Sequence, residues 1–158
     1  MTLKQTVLLF LINRDKEEIF FIRKKRGMGK GLWNGPGGKV LPDEAPLNAL
    51  NREAIEETGL EALSPQLAGI VTFRFPEEVA NQSFSNQCRI YKAFDWKGNH
   101  ISESEECSSF WWPISKINFE LFWPDDRLWM PLLLKGQYFE REYLFDSNNA
   151  IIEERILK

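Results

Sequence analysis

Residues 51–60 read NREAIEETGL. Laid on a helix, this stretch puts Glu53, Glu56 and Glu57 at i, i+3 and i+4, all on one face. Like charges at that spacing cost a helix about 0.2–0.5 kcal/mol per pair. One reading is a plain acidic face in water, which is common. The other is a cluster that captures a hard divalent cation. Mg²⁺ prefers oxygen ligands, keeps several waters, and is shared between a few carboxylates and a phosphate.

Reading outward, Leu47, Leu50, Ala54 and Ile55 make an apolar helical stripe, Pro46 suits the first turn and Gly59 the C-cap. The spacing predicts a helix over 45–58. Before it, GMGKGLWNGPGGK (27–39) holds six of the ten glycines. This reads as a loop whose backbone closely approaches something. It contains no GxxxxGK[ST] motif, so it is not a P-loop.

Thr6–Ile12 reads as a buried strand, NRDKEE (13–18) as a polar turn, and Ile19–Ile22 as the returning strand. Further strands are expected from Leu67 (LAGIVTFRF), from Asn86 (NQCRIYKAFDW) and from Ser108 (SSFWWPI), with a terminal hairpin formed by REYLFD and AIIEERIL across SNN. A second helix is expected from Pro124 to Gly136, with Asp125 and Asp126 serving its first turn. Helix–strand alternation is incomplete, which argues for a mixed sheet with one helix on each face and against a doubly wound parallel sheet. The absence of repeats or linkers predicts one domain over residues 1–158.

Bulk properties narrow the function. The 158 residues carry a net charge of −3, which argues against grip on a nucleic-acid polymer. The one basic run, RKKR (23–26), is either a solvated strand end or a phosphate contact. Cys88 and Cys107 have no CxxC spacing, which predicts a reduced pair and a cytoplasmic location. The single histidine, His100, sits in WKGNHIS, which reads as an exposed hairpin turn, so Ser–His and Cys–His mechanisms have little support. TVLLFLI (6–12) is too short for a membrane span and lacks a signal cleavage site. A monomer is expected, since no unexplained apolar stripe is evident.

The spacing around the helix adds more. Gly38 is followed by Glu44, then Arg52-Glu53-Ala54, Glu56-Glu57 and Gly59-Leu60. This segment resembles the Nudix box, GX5EX7REUXEEXGU with U apolar, at all nine defined positions. The resemblance implies a Nudix hydrolase with an α/β/α sandwich fold, cleaving a nucleoside diphosphate linked to another group. It implies Mg²⁺ or Mn²⁺ held by Glu53, Glu56 and Glu57 with the carbonyl of Gly37. Arg52 and Glu44 would orient helix and loop through a salt link. Glu57 is the expected general base, with Glu53 and Glu106 as the other candidates. A carboxylate that takes a proton from water attacking phosphorus fits the chemistry.

The flanks KKRGMGKGLWNGPGGKV and FWPDDRLWMPLLLKGQYF resemble oxidised-purine nucleoside triphosphatases of the animal type. Carried over, that resemblance puts Asn34, Asp125 and Asp126 on the base edge and Trp123 stacked on the purine. It puts Thr6, Lys24, Phe73 and Phe75 around the nucleotide, with Gly37 and Gly38 close to it. Glu106 falls where those enzymes have an additional metal or catalytic carboxylate. Met28 stands where they tend to carry Phe, Pro36 follows Gly35, and a locally different, longer loop is expected around PEEVANQSF (76–84). These departures leave the ranking of oxidised purines open.

Read from residue chemistry, WPDD is either an ordinary helix start with a packing tryptophan or a flat face beside two hydrogen-bonding heads. Neighbouring carboxyls in a desolvated pocket disfavour double ionisation, so one Asp donates while the other accepts. That suits oxidised guanine, and a switch of proton would admit 2-hydroxyadenine. The rival readings are a Nudix enzyme for another nucleotide (a methylated purine triphosphate, a dinucleoside polyphosphate or a nucleotide sugar), a non-catalytic Nudix-fold module, and a decapping enzyme. Intact box carboxylates disfavour the second, and the acidic balance disfavours the third.

Overall fold

A computed structural model describes residues 3–76 and 84–158. The centre of PEEVANQSF, 77–83, lies outside the described residues. In chain order the elements are β1 (Lys4–Asn13), β2 (Glu18–Lys24), β3 (Trp33–Asn34), β4 (Gly37–Lys39), α1 (Pro46–Thr58), β5 (Leu60–Leu63), β6 (Gln66–Arg74) and β7 (Asn86–Ala93). They continue with β8 (Asp95–Gly98), β9 (Cys107–Pro113), α2 (Asp126–Leu134), β10 (Phe139–Phe145) and β11 (Ile151–Ile156).

Among the described residues the main sheet runs β11-β10-β6-β7-β1-β2-β3, with β4 added on β1 and β9 on β2. The pairs β1·β7 and β6·β10 are parallel and the others antiparallel, so the sheet is mixed as expected. Alternation along β1 explains the two layers. Val7, Leu9 and Leu11 pack with Ala49, Leu50 and Ala54 of α1. Phe10 and Ile12 pack on the opposite face with Trp129, Met130 and Leu133 of α2. Each such fully buried large side chain contributes roughly 1.5–3 kcal/mol.

The feature that makes room for a site is a fork. β1 pairs with β2 only at the hairpin end, Ile12 with Ile19 and Asn13 with Glu18. Beyond that, β1 turns to β4 through Thr6, Val7 and Leu8, while β2 turns to β3 and β9. The glycine-rich segment feeds β3 and β4 into the gap. The Leu9 N–H donates to the Pro36 carbonyl at 2.8 Å.

Several expectations need correction. WKGNHIS is not a hairpin turn: β8 leaves the sheet after Ala93 and pairs with β5, a strand the sequence did not suggest. His100 is exposed as expected, yet its Nε2 lies 2.8 Å from Ser109 Oγ and its ring stands edge-on to Phe20. The glycine stretch contains two short strands and is not loop throughout. On α1, Leu47 and Ile55 are exposed, and the inward stripe is Ala49, Leu50, Ala54 and Glu57. The helix is rotated so that a carboxylate ends its buried face. α2 begins at Asp126, and the side chain of Asp125 at the N-cap position makes no capping bond.

Candidate active site

The fork opens into a cleft of about 250 Å³. β1 contributes Thr6 and Leu8, and β2 contributes Ile22 and Lys24. Asn34, Gly37, Gly38 and Glu57 line one end, and Phe73, Phe75, Trp123, Asp125 and Asp126 the other. Residues separated by more than 100 positions thus share one cavity. Asn86 and Cys88 also line it and were missed from sequence. They sit opposite Lys4 and Thr6 in the parallel β1·β7 register. Only that pairing identifies them, and Thr6 Oγ1 donates to Asn86 Oδ1 at 2.7 Å.

At the aromatic end, Asp125 and Asp126 are buried at 0% and 3% exposure. Trp129 Nε1 donates to Asp125 Oδ2 at 2.7 Å. Asp125 Oδ1 and Asp126 Oδ2 are buried without a protein partner. Burial pushes Asp125 up to about 6. Burial, then the adjacent Asp125, holds Asp126 well above the usual carboxyl range. The pair therefore shares a proton at neutral pH, and one member donates while the other accepts. Trp123 stands edge-on to Phe75, with ring centres 6.0 Å apart. A Cβ on Gly29 would lie 2.9 Å from the Trp123 indole nitrogen, so that glycine lets the loop pack on the ring.

At the acidic end, Glu57 is buried, and its Oε1 accepts from the Gly37 N–H at 3.3 Å. Burial pushes its carboxyl up to about 8, opposed by the Gly37 N–H and reinforced by the charge of Glu53. Arg52 donates to both oxygens of Glu44, at 2.9 and 3.0 Å, to the Lys39 carbonyl at 3.0 Å, and to Glu53 at 2.9 Å. That bidentate bond, with the Leu41 N–H, holds Glu44 down to about 2. Arg52 thus ties α1 to the loop before it, as the box resemblance implied. Glu56 is more exposed and lies 3.8 Å from Arg52. Among the described residues no three His, Cys, Asp or Glu side chains already converge on one point. Arg52 instead draws Glu53 and Glu56 to itself.

A hard cation nevertheless fits these residues. A buried carboxyl with another carboxylate beside it must either keep its proton or meet a positive charge, and a cation can take the proton's place. The donors are all oxygens. Gly38 and Gly37 leave space that no side chain could share: a Cβ on Gly38 would meet the Glu53 carboxylate at 2.6 Å, and one on Gly37 would meet the Val7 carbonyl at 2.0 Å. The Gly37 clash is with backbone and cannot rotate away. Gly37→Ala is expected to lower stability by about 1–3 kcal/mol or more. Thermal unfolding of the purified variant checks this, and an unchanged melting temperature contradicts it.

Five predicted residues stand apart from the cleft lining: Arg52 and Glu53, bonded to each other, and Glu56, Glu106 and Met28. Glu106 is ion-paired with Arg26, which holds its carboxyl below the ordinary range. Met28 contributes its carbonyl, which accepts from Lys24 Nζ at 2.8 Å. Glu56 points outward from α1. Lys24, of the basic run RKKR, is the member that reaches the cleft.

The chain is similar to known proteins in both sequence and fold. The NUDIX domain family profile matches residues 2–133. The oxidized purine nucleoside triphosphate hydrolase of Danio rerio is 36% identical over 133 residues, covering 84% of this chain and 82% of that protein. The Mus musculus protein of the same name is 35% identical over 136 residues, covering 82% and 80%. In fold, the crystal structure of a mutator MutT protein from Bacillus halodurans superposes with a TM-score of 0.83 at 21% identity, covering 98% of each chain. The chain belongs to the Nudix family.

Proposed function

We propose that residues 1–158 form one hydrolase domain that cleaves oxidised purine nucleoside triphosphates, 8-oxo-dGTP and 2-hydroxy-dATP among them, to monophosphate and pyrophosphate. The observation that carries this reading is the pair of unpartnered buried oxygens, Asp125 Oδ1 and Asp126 Oδ2, in the same cleft as Glu57. Apposed donor and acceptor heads are what a purine edge requires. The names of the Danio rerio and Mus musculus relatives point the same way. The cofactor we assign is Mg²⁺, with Mn²⁺ as substitute. Glu53, Glu56, Glu57 and the Gly37 carbonyl would hold it, with Glu106 as an additional candidate.

When bound, a divalent cation neutralises polyphosphate charge and acidifies water. The chain's own residues do the rest. Trp123 provides a face for the base, with Phe73 and Phe75 as walls. Asn34, Asp125 and Asp126 read the base edge. Lys24 meets the phosphates as a point charge. Glu57, held by the Gly37 N–H, takes the proton from the attacking water, and Arg52 with Glu44 keeps α1 in register with the loop. The test is a panel of normal, oxidised and methylated purine triphosphates, dinucleoside polyphosphates and nucleotide sugars, assayed for pyrophosphate or monophosphate release. Preference for the oxidised triphosphates supports the proposal, and preference for another class overturns it. We place this activity in the cytoplasm, in a monomer that needs no nucleic-acid polymer or membrane. Cys88 and Cys107 are both free and buried, and no helix among the described residues is long and apolar enough to cross a membrane.

A pH dependence follows from Glu57. Its folded-state value of about 8 exceeds the ordinary 4.5, so its contribution to stability is fully present below about 4.5 and is lost as pH rises through 8. A cation must displace the proton to bind there. The stabilisation that Mg²⁺ gives in thermal unfolding is therefore expected to grow from pH 6 to pH 9. A pH-independent increment contradicts the involvement of Glu57.

A further inference from the structure

Trp129 is fully buried, yet it is more than packing. Its ring lies between Phe10 and Phe139, with centres 5.8 and 5.5 Å away. Asp125 and Trp129 are one helical turn apart, at i and i+4, so their side chains meet on the same face of α2. An indole N–H can only donate. It donates to Asp125 Oδ2 at 2.7 Å, within the range of a charge-assisted bond. Asp125 makes no capping bond, and this indole bond ranks ahead of its own backbone N–H and Asp126 in holding its carboxyl. Oδ1 is buried without a hydrogen-bond partner, as is Oδ2 of Asp126, and both residues line the cleft.

We infer that Trp129 is a positioning residue for purine discrimination: its N–H fixes Asp125 as the accepting member of the pair and leaves Asp126 to present the donor. This rests on the substrate reading above and goes beyond it by saying what breaks the symmetry of two adjacent aspartates. The other titratable groups facing Asp125 are Cys88 from β7 and Tyr143 from β10. Burial raises both, Cys88 to about 12, so both stay neutral over the useful pH range. No Lys or Arg is among the groups that shift either aspartate. The donors that favour the ionised form of Asp125 are the Trp129 indole first, then its own backbone N–H and Asp126. Of these the indole is the one that can be removed without altering the pair or the backbone.

Trp129→Phe removes the N–H and keeps an aromatic ring between Phe10 and Phe139. Benzothienylalanine at position 129 removes it while preserving the bicyclic shape, and serves where the smaller ring weakens the fold. Two readouts apply to whichever variant melts cooperatively. In ligand-free protein, the ¹³C-carboxyl titration of the pair is expected to show its lower apparent pKa rising by about one unit or more, since the lost donor favoured the ionised form. In turnover, KM for 8-oxo-dGTP is expected to rise about tenfold or more with kcat nearly unchanged, and selectivity against 2-hydroxy-dATP to shrink. A folded variant with an unchanged carboxyl titration overturns the inference, even if its melting temperature falls. Should the unsubstituted protein hydrolyse no oxidised purine triphosphate, the substrate reading fails, while the titration still decides the role of Trp129.

Discussion

Glu57→Gln is expected to lower kcat by about 10²- to 10⁴-fold at saturating Mg²⁺, the usual loss when a positioned base is removed. KM for the nucleotide should stay within a few-fold. The reasons are local. Glu57 is a buried carboxylate that lines the cleft, anchored by the Gly37 N–H. An amide of the same shape keeps an oxygen that can accept from Gly37, so the loop should hold its place. It cannot take a proton from water. The substitution also removes a candidate cation ligand, so the assay needs an Mg²⁺ titration to separate weaker metal binding from lost proton transfer. Near-normal turnover at saturating Mg²⁺ would move the base to Glu53 or Glu106.

The second large effect concerns substrate choice. Asp125→Asn and Asp126→Asn should each lower kcat/KM for 8-oxo-dGTP, by about 10- to 100-fold for the loss of a buried charged hydrogen bond. Asp125→Asn should be the worse of the two. Its amide oxygen would turn to Trp129 Nε1, which only donates. The cleft then sees an NH₂ donor where Asp125 presents an accepting oxygen. Asp126→Asn keeps a donor in its position and should retain more activity. kcat/KM for 8-oxo-dGTP measures this, and unchanged values in both variants contradict the proposed base-reading role.

How much of this was legible beforehand differs between the two ends of the cleft. The acidic end is local in sequence. Gly38, Glu44, Arg52, Glu53 and Glu57 lie within one loop and one helix, and helical spacing puts Glu53 near Glu57 while Glu56 of the expected trio turns outward. The mixed sheet and both helices also follow from patterning. The fork between β1 and β2 does not, because a hairpin read from sequence predicts full pairing, and here only its closed end pairs. Asn86 and Cys88 stayed hidden for the same reason, since their place depends on a parallel register set 80 residues away. The inward turn of Glu57 and the outward turn of Leu47 and Ile55 run against the apolar stripe, because the helix serves the cleft as well as the core. WPDD was ambiguous. What decides it is that both aspartates are buried with free oxygens and neither caps the helix, which no propensity rule foresees.

The most direct measurement is steady-state hydrolysis of dGTP, dATP, 8-oxo-dGTP and 2-hydroxy-dATP by the purified protein, with and without Mg²⁺, following monophosphate and pyrophosphate together. The expected result is Mg²⁺-dependent release of both products in equal amounts, with the oxidised nucleotides cleaved at clearly higher kcat/KM. Failure to cleave any of the four with Mg²⁺ present, or equal rates for oxidised and normal purines, would contradict it.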